Sequence, residues 1–313
     1  MTIGRWLPSY LLVVLLWGGA YGITEIALAA FSPGQVAMGR ALVGAACLAV
    51  ILVTGGAGLP RLGKAGWSRI AVLAGLTTIA SVSATTAQCR MPSAIVAVLC
   101  AMTPLFAAIF CQMRRVPTPA TGWLGVGLGV IGVAALLSPS GNVDGIGVML
   151  GLTAAACFAL SGALAGAFFP GSTHSASQLT MAQLLRSGLV LVPVTPVTGL
   201  SLSPSGPLAA MLILGVLAAA VGNVLFWRVL RQAGPVVAAT TYQTVPLVAV
   251  VVGIVILGEP FGLGEFAGTA FILAGLALQL VAPAATCRPD AGPDRRSPAS
   301  PADRALQPAV ARS

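Results

Sequence analysis

The stretch from Gly234 to Gln279 constrains this chain more than any other. It holds two apolar runs, each about 20 residues and so long enough to cross a bilayer, joined by a short turn carrying Gly258-Glu259-Pro260. Pro246 stands in the middle of the first run, with a polar group of residues just before it. A weaker copy lies at Met91 to Leu136. Ala97 to Pro104-Leu105 there matches Ala239 to Pro246-Leu247, 142 residues apart, and Gly125 and Gly132 match Gly268 and Gly275, 143 apart. A half-chain repeat with a mid-membrane proline in each copy implies a duplicated membrane protein.

Composition agrees. Of 313 residues, 57% are hydrophobic and 7% charged, against about 25% charged in soluble proteins. The net charge of +9 does not point to nucleic acid, because the basic residues sit in short gaps between apolar runs and in the tail. That is the pattern of membrane orientation and anionic headgroups. Six cysteines form no CxxC pair and His174 is the single histidine. Small buried hydrophobes are the default reading for such cysteines, and no metal site or cofactor is expected.

The chain reads as an all-α integral membrane protein with ten transmembrane helices. The first run, Leu7 to Phe31, is too long for a signal peptide's apolar core of about 7–15 residues, so it is expected to stay as a helix. Nine more spans are expected near 34–54, 68–88, 93–112, 121–138, 145–168, 178–199, 207–230, 236–257 and 264–282. They divide into two five-helix repeats, 1–138 and 145–282. The Pro-, Ala- and Arg-rich residues 283–313 cannot bury enough apolar surface to order themselves and read as a disordered cytoplasmic tail.

Loop charges set the orientation. With the N-terminus inside, cytoplasmic gaps hold Arg61, Lys64, Arg69, Arg114, Arg115, Arg228 and Arg231, and the opposite gaps hold Arg90, Asp144, Glu259 and Glu265. The basic pair follows helix 4 in the first half and helix 8 in the second. An odd number of helices per half makes the second copy enter from the other side, so this swap is what two inverted repeats require. Both termini are then cytoplasmic, in a bacterial-type cell membrane.

These features resemble the drug/metabolite transporter superfamily, in particular its ten-helix EamA-type branch. The resemblance spans all but the tail. It rests on Trp17-Gly18 in helix 1, the Ala–Thr–Pro–Leu patterns at Ala97–Leu105 and Ala239–Leu247, and the Gly258-Glu259-Pro260 turn followed by Gly268 and Gly275. The first half departs from it, with Met113-Arg114-Arg115 where such proteins often carry a glutamate. The resemblance implies a secondary transporter, usually an exporter of small organic molecules, with its pathway between the halves. It implies no particular substrate.

Several residues could carry transport. Pro104 and Pro246 each remove a backbone donor and clash one turn back, leaving carbonyls that only protein or a wet cavity can satisfy at membrane depth. They read as paired kinks lining a central site, or as ordinary packing kinks. Thr240, Gln243 and Thr244 share one face of helix 9 before Pro246. Thr78, Ser81, Thr85 and Gln88 form a stripe on helix 3, and Asn223 and Trp227 pair on helix 8. Each group reads as a substrate face or as polar glue between helices. Trp17, Tyr21 and Glu25 make an aromatic wall leading to a carboxylate. A charge at the bilayer centre costs roughly 2.5–3.5 kcal/mol on insertion scales, so Glu25 needs a partner, a cavity or a proton. Arg40 on helix 2 is the expected partner. The pair reads as a structural ion pair, as a proton-coupling site, or as substrate recognition. Arg186 reads as a second buried cation, and Glu259 and Glu265 as surface charges. Gly125/Gly129 and Gly264/Gly268 make GxxxG pairs suited to close packing, including a homodimer.

Catalysis is not expected, since the aspartates Asp144, Asp290, Asp294 and Asp303 lie outside the spans and His174 falls in a loop. The absence of a GxxxxGK[ST] leaves no visible ATP site. The expected partners are a small-molecule substrate, the lipid bilayer and, as coupling ion, protons. An uptake carrier, a lipid translocator and a non-transporting membrane partner are the other classes consistent with these stripes.

Overall fold

A computed structural model describes residues 6–113, 120–136, 143–169, 174–195, 206–258 and 262–281, with a few side chains inside the helices left out. No strand occurs among the described residues. The helices are α1 (Leu7–Leu28), α2 (Pro33–Thr54), α3 (Lys64–Gln88), α4 (Ser93–Cys100), α5 (Thr103–Met113), α6 (Ala120–Leu136), α7 (Gly145–Phe168), α8 (Ala176–Leu191), α9 (Gly206–Ile213), α10 (Gly222–Val255) and α11 (Leu263–Val281). A π-helical stretch, Leu214–Val221, joins α9 to α10 without a break. Leu7–Leu28, Pro33–Thr54, Lys64–Gln88, Gly145–Ala165 and Gly206–Phe226 are long and apolar enough to span a bilayer, and shorter apolar helices accompany them.

Local chemistry explains where several helices begin. Ser32 accepts from the backbone of Gln35, whose side chain accepts in return from the Ser32 amide. Ser175 and Gln178 repeat this reciprocal cap at α8. Each cap satisfies two N–H groups that a helix start leaves open. The two caps stand 143 residues apart, the spacing already seen in the glycines. Gly258, at φ 66°, takes the left-handed conformation that closes the end of α10.

The helical span expected at 93–112 is interrupted. α4 ends at Cys100, a turn occupies Ala101 and Met102, and α5 restarts at Thr103. Pro104 causes this. It has no N–H for the carbonyl of Cys100 one turn back, and the hydroxyl of Thr103 donates to that carbonyl instead, at 2.7 Å. The expected kink is present, and protein rather than a cavity satisfies the carbonyl. At Pro246 the helix runs on to Val255.

The spans expected at 207–230 and 236–257 are a second departure, because the backbone is helical throughout Gly206–Val255. A straight rod of that length would reach about 75 Å. Yet Trp17 of α1 bonds to Ala218 while its neighbour Gly18 lies against Val248. The axis therefore doubles back between those contacts. Met211 and Ala27 share one core cluster at the far end of α1, so α1 runs antiparallel to 206–226. The contacts from Tyr10 to Thr244 and from Gly22 to Val252 make it parallel to 244–255.

α7 is held in the same manner. Arg69 at the start of α3 donates to the carbonyl of Phe168 at the end of α7, so those helices are antiparallel. Gly147 and Gly151 meet Met91 and Leu99 in order, so α7 is parallel to α4. Two further pairs close the bundle, α2 with α8 and α6 with α11. At the centre is α4, all eight of whose residues are buried. A helix apolar and buried on every side is a core element, and it puts Cys100 among the helices around it.

Candidate functional site

Tyr21 of α1 packs against the buried core cluster that contains Cys100. The Arg40 guanidinium donates to Ser81 of α3 at 3.3 Å. α2 and α3 are thus joined by a polar contact inside an otherwise apolar bundle. Arg40 is only partly exposed and sits seven residues into α2, about 10 Å along its axis.

The expected partnership of Glu25 with Arg40 is not formed. No ion pair joins them, and the Arg40 guanidinium donates to Ser81 instead. Glu25 lies one turn beyond Tyr21, with its side chain exposed. Arg186, expected as a second buried cation, is exposed as well. Glu265, expected at the surface, is 3% exposed, and its Oε2 accepts from the amide of Gly262 at the start of α11. A carboxylate there also complements the helix dipole.

Trp17 and Asn223 serve the π-helical stretch. The wider turn of a π-helix shifts backbone pairing to i→i+5, and Gly222 accordingly bonds to Leu217. The carbonyls that follow take side-chain donors: Ala218 receives the Trp17 indole N–H at 3.1 Å, and Ala219 receives the Asn223 amide at 2.7 Å. Trp17 also packs on Phe226 with ring centroids 5.3 Å apart. Gly18, next in sequence, faces the other arm, where an added Cβ would come within 2.6 Å of Val248. The Trp17-Gly18 pair therefore holds both arms of the reversed helix against α1.

The helix-3 stripe divides. Thr77 and Thr78 bond to Ser187 of α8, and Thr85 bonds back to the carbonyl of Ser81. Oε1 of Gln88 is buried with no hydrogen-bond partner. On the last face before Pro246, the Thr244 hydroxyl meets that of Tyr10 at 2.7 Å. The side chains of Trp227, Thr240 and Gln243 lie outside the described residues, as does Glu259.

Sequence reasoning missed Tyr10, Cys100 and Thr103. Cys100 was readable only through its place four residues before Pro104, where a proline frees a carbonyl. A cavity of about 370 Å³ lies elsewhere, between α5, α6 and α7, lined by Leu105, Phe106, Ile109, Val130 and Leu152 among others. All of these are apolar and Val130 is 61% exposed. The cavity carries no polar group to orient a solute.

The model of the EamA-like transporter family matches residues 4–138 and 145–281. The chain belongs to that family. This transporter is 27% identical over 263 residues to a protein described as the uncharacterized inner membrane transporter YedA of Escherichia coli K12, covering 78% of this chain and 80% of that one. The same figures hold for YedA of the O157:H7 strain. Its fold is shared with a crystal structure at 15% identity and a TM-score of 0.64, over 90% of this chain and 98% of the other. The transporter is a multi-pass membrane protein, with five clearly spanning helices and further short apolar ones.

Proposed function

We propose that this protein is a secondary active carrier that exports a small organic metabolite, amino acid-like compound or drug by alternating access. Ten transmembrane helices form two inverted five-helix halves, 1–138 and 145–282, in a bacterial inner membrane with both termini cytoplasmic. The observation that carries the carrier reading is the half-buried Arg40 guanidinium bonded to Ser81 inside the bundle. Polar and ionisable groups inside a membrane bundle are costly and are retained for substrate or ion pathways.

Helix pairing supports the inverted halves. α1 runs antiparallel to 206–226 and parallel to 244–255, and α7 runs antiparallel to α3 and parallel to α4. The first span of each half thus holds the third and fourth spans of the other, in the same sense. The capping boxes at Ser32 and Ser175 fit the same 143-residue offset. Rocking one half on the other would open the Arg40 contact to each side in turn. The relative's description as an inner membrane transporter and the basic gaps at Arg61–Arg69 and Arg228 support the location and orientation.

The test compares small-molecule pools inside and outside cells that express the intact protein or a form with Glu25→Gln and Gln243→Ala, matched for membrane abundance. A compound enriched in the medium only with the intact protein is the expected result and names a substrate. Enrichment inside the cells would make this an uptake carrier. No difference in any pool would overturn transport of a soluble metabolite and direct the search to headgroup-labelled lipids.

A further inference from the structure

The fourth span consists of two unequal arms. All eight residues of α4 are buried, whereas Leu105 is the one fully buried side chain among those described on α5. Between the arms lies the turn at Ala101 and Met102, opened by Pro104 and held by the Thr103 hydroxyl on the Cys100 carbonyl at 2.7 Å. Proline breaks of this kind are where helices bend. The root of α5 is pinned to α6, since a Cβ on Gly129 would come within 2.7 Å of Leu105 and 3.1 Å of Met102.

Beyond that pin the packing is open. Met102, Leu105, Phe106 and Ile109 recur at helical spacing, and they border the cavity of about 370 Å³ opposite Val126 and Val133 of α6. Protein interiors hold few voids larger than a water molecule, and an apolar cavity of roughly 150 Å³ is already enough to take benzene. α6 itself is fixed, because its glycines lie against the backbone of α11. A loosely buried arm, a break at its root and free volume along its inner face therefore occur together.

We propose that α5 is a swinging arm, which pivots at Ala101–Met102 and moves into the cavity toward α6 while α4 stays in place. The cavity is the travel of the arm and not a solute pocket, in keeping with a lining that has no polar group to orient a ligand. The carrier reading above supplies only its purpose: the fourth span gains one half that moves and one that does not.

Distances between spin labels test this in the full chain without any solute. Cys47, Cys89, Cys111, Cys157 and Cys287 are replaced by Ala, and Cys100 is kept because it is buried and so slow to label. The protein is reconstituted in phosphatidylcholine vesicles. One label pair joins Phe110→Cys on α5 to Gly127→Cys on α6, a position with open space around it. A control pair joins Gly127→Cys to Phe266→Cys on α11, where Phe266 is 66% exposed. The expected result is one distance for the control and two for the α5 pair, differing by about 4 Å, one layer of side-chain atoms in contact. Val126→Phe or Val133→Phe, which fill the cavity, should leave only the longer distance. Pro104→Ala, which restores a backbone donor to the Cys100 carbonyl, should also leave a single distance.

A single distance for the α5 pair with Val126, Val133 and Pro104 in place would overturn the proposal. So would two distances that persist when the cavity is filled or when Pro104 is replaced. Two distances in detergent that merge into the longer one in phosphatidylcholine would overturn it as well, and would mark the cavity as the seat of a lipid acyl chain. The α5 pair decides the matter even if a filled variant fails to fold. Because no solute is present, failure here leaves the carrier reading to the pool experiment, and failure of the pool experiment leaves a moving arm in a protein that carries no soluble metabolite.

Discussion

Gly132 on α6 lies so close to Gly268 on α11 that a Cβ placed on Gly132 would come within 2.7 Å of the Gly268 carbonyl oxygen. The reverse contact has the same form, with Gly275 of α11 reaching within 2.5 Å of the Gly125 carbonyl. Both obstacles are backbone, which cannot rotate away. In lipid, helices associate through such close approaches because apolar surface gains little by leaving the bilayer. Gly132→Leu should therefore separate α6 from α11 and destabilise the fold by about 1–3 kcal/mol, the usual range for overpacking. Gly127→Ala, at a position with open space around it, is the control. Thermal melting in detergent would read both, and an unchanged midpoint for Gly132→Leu would show that this crossing does not hold the bundle.

The glycines were legible in the sequence because their spacing repeats and because only a close crossing needs a residue without Cβ. The break at Pro104 was legible because a proline removes a backbone donor, whereas Trp17, read as part of an aromatic wall, bonds to the π-helical stretch. The partner of Arg40 was not. Glu25 was its natural match on charge alone, but charge does not say which way an α1 side chain turns, and Ser81 of α3 takes the guanidinium instead. Glu265 was misread in the same way, since a carboxylate near a helix start can cap its own backbone and be buried by doing so. The joining of 206–255 had no signal, because Pro235 and Gly234 suggest a break between spans.

Trp17→Phe separates the hydrogen bond from the ring. Phenylalanine keeps an aromatic face for Phe226 but leaves the Ala218 carbonyl without the donor now at 3.1 Å. The cost should be about 1 kcal/mol, between the bilayer average for polar contacts and the penalty for an unsatisfied buried acceptor. Trp17→Ala should cost more, by loss of the ring contacts. Melting midpoints that fall in the order wild type, Phe, Ala would bear this out. A Phe variant as stable as wild type would mean that the carbonyl finds another donor.

Asp144 pairs with Arg90 beyond the end of α3 at 2.7 Å and caps α7 by accepting from Ile146 and Gly147. The hydrogen bond from Arg90 holds its carboxyl below the usual carboxylate value. A depressed folded-state pKa gives stability that is present above the unfolded value near 3.8 and lost as pH falls through the folded one. Stability should thus be level from pH 7 to about 5 as far as this group is concerned. Asp144→Asn keeps a capping oxygen and loses the ion pair, whereas Asp144→Ala loses both. The melting midpoint should drop further for Ala than for Asn, and both variants should show a weaker acid dependence than wild type below pH 4. An acid profile identical in all three would remove Asp144 from the account.

Glu25→Gln addresses energy coupling. The carboxylate is exposed on α1 one turn beyond Tyr21 and is not tied to Arg40, so replacing it with an amide of the same shape should leave the Arg40–Ser81 bond in place. The melting midpoint should stay within the range of ordinary surface changes, about 0.5 kcal/mol. If Glu25 carries the coupling proton, solute flux in proteoliposomes should no longer respond to an imposed pH gradient, while exchange of labelled for unlabelled solute continues. Exchange needs the substrate site alone, and net uphill flux needs the proton as well. A mutant that still accumulates solute against its gradient when the pH gradient is applied would sink the coupling role, and a mutant that loses exchange too would make Glu25 part of the substrate path instead.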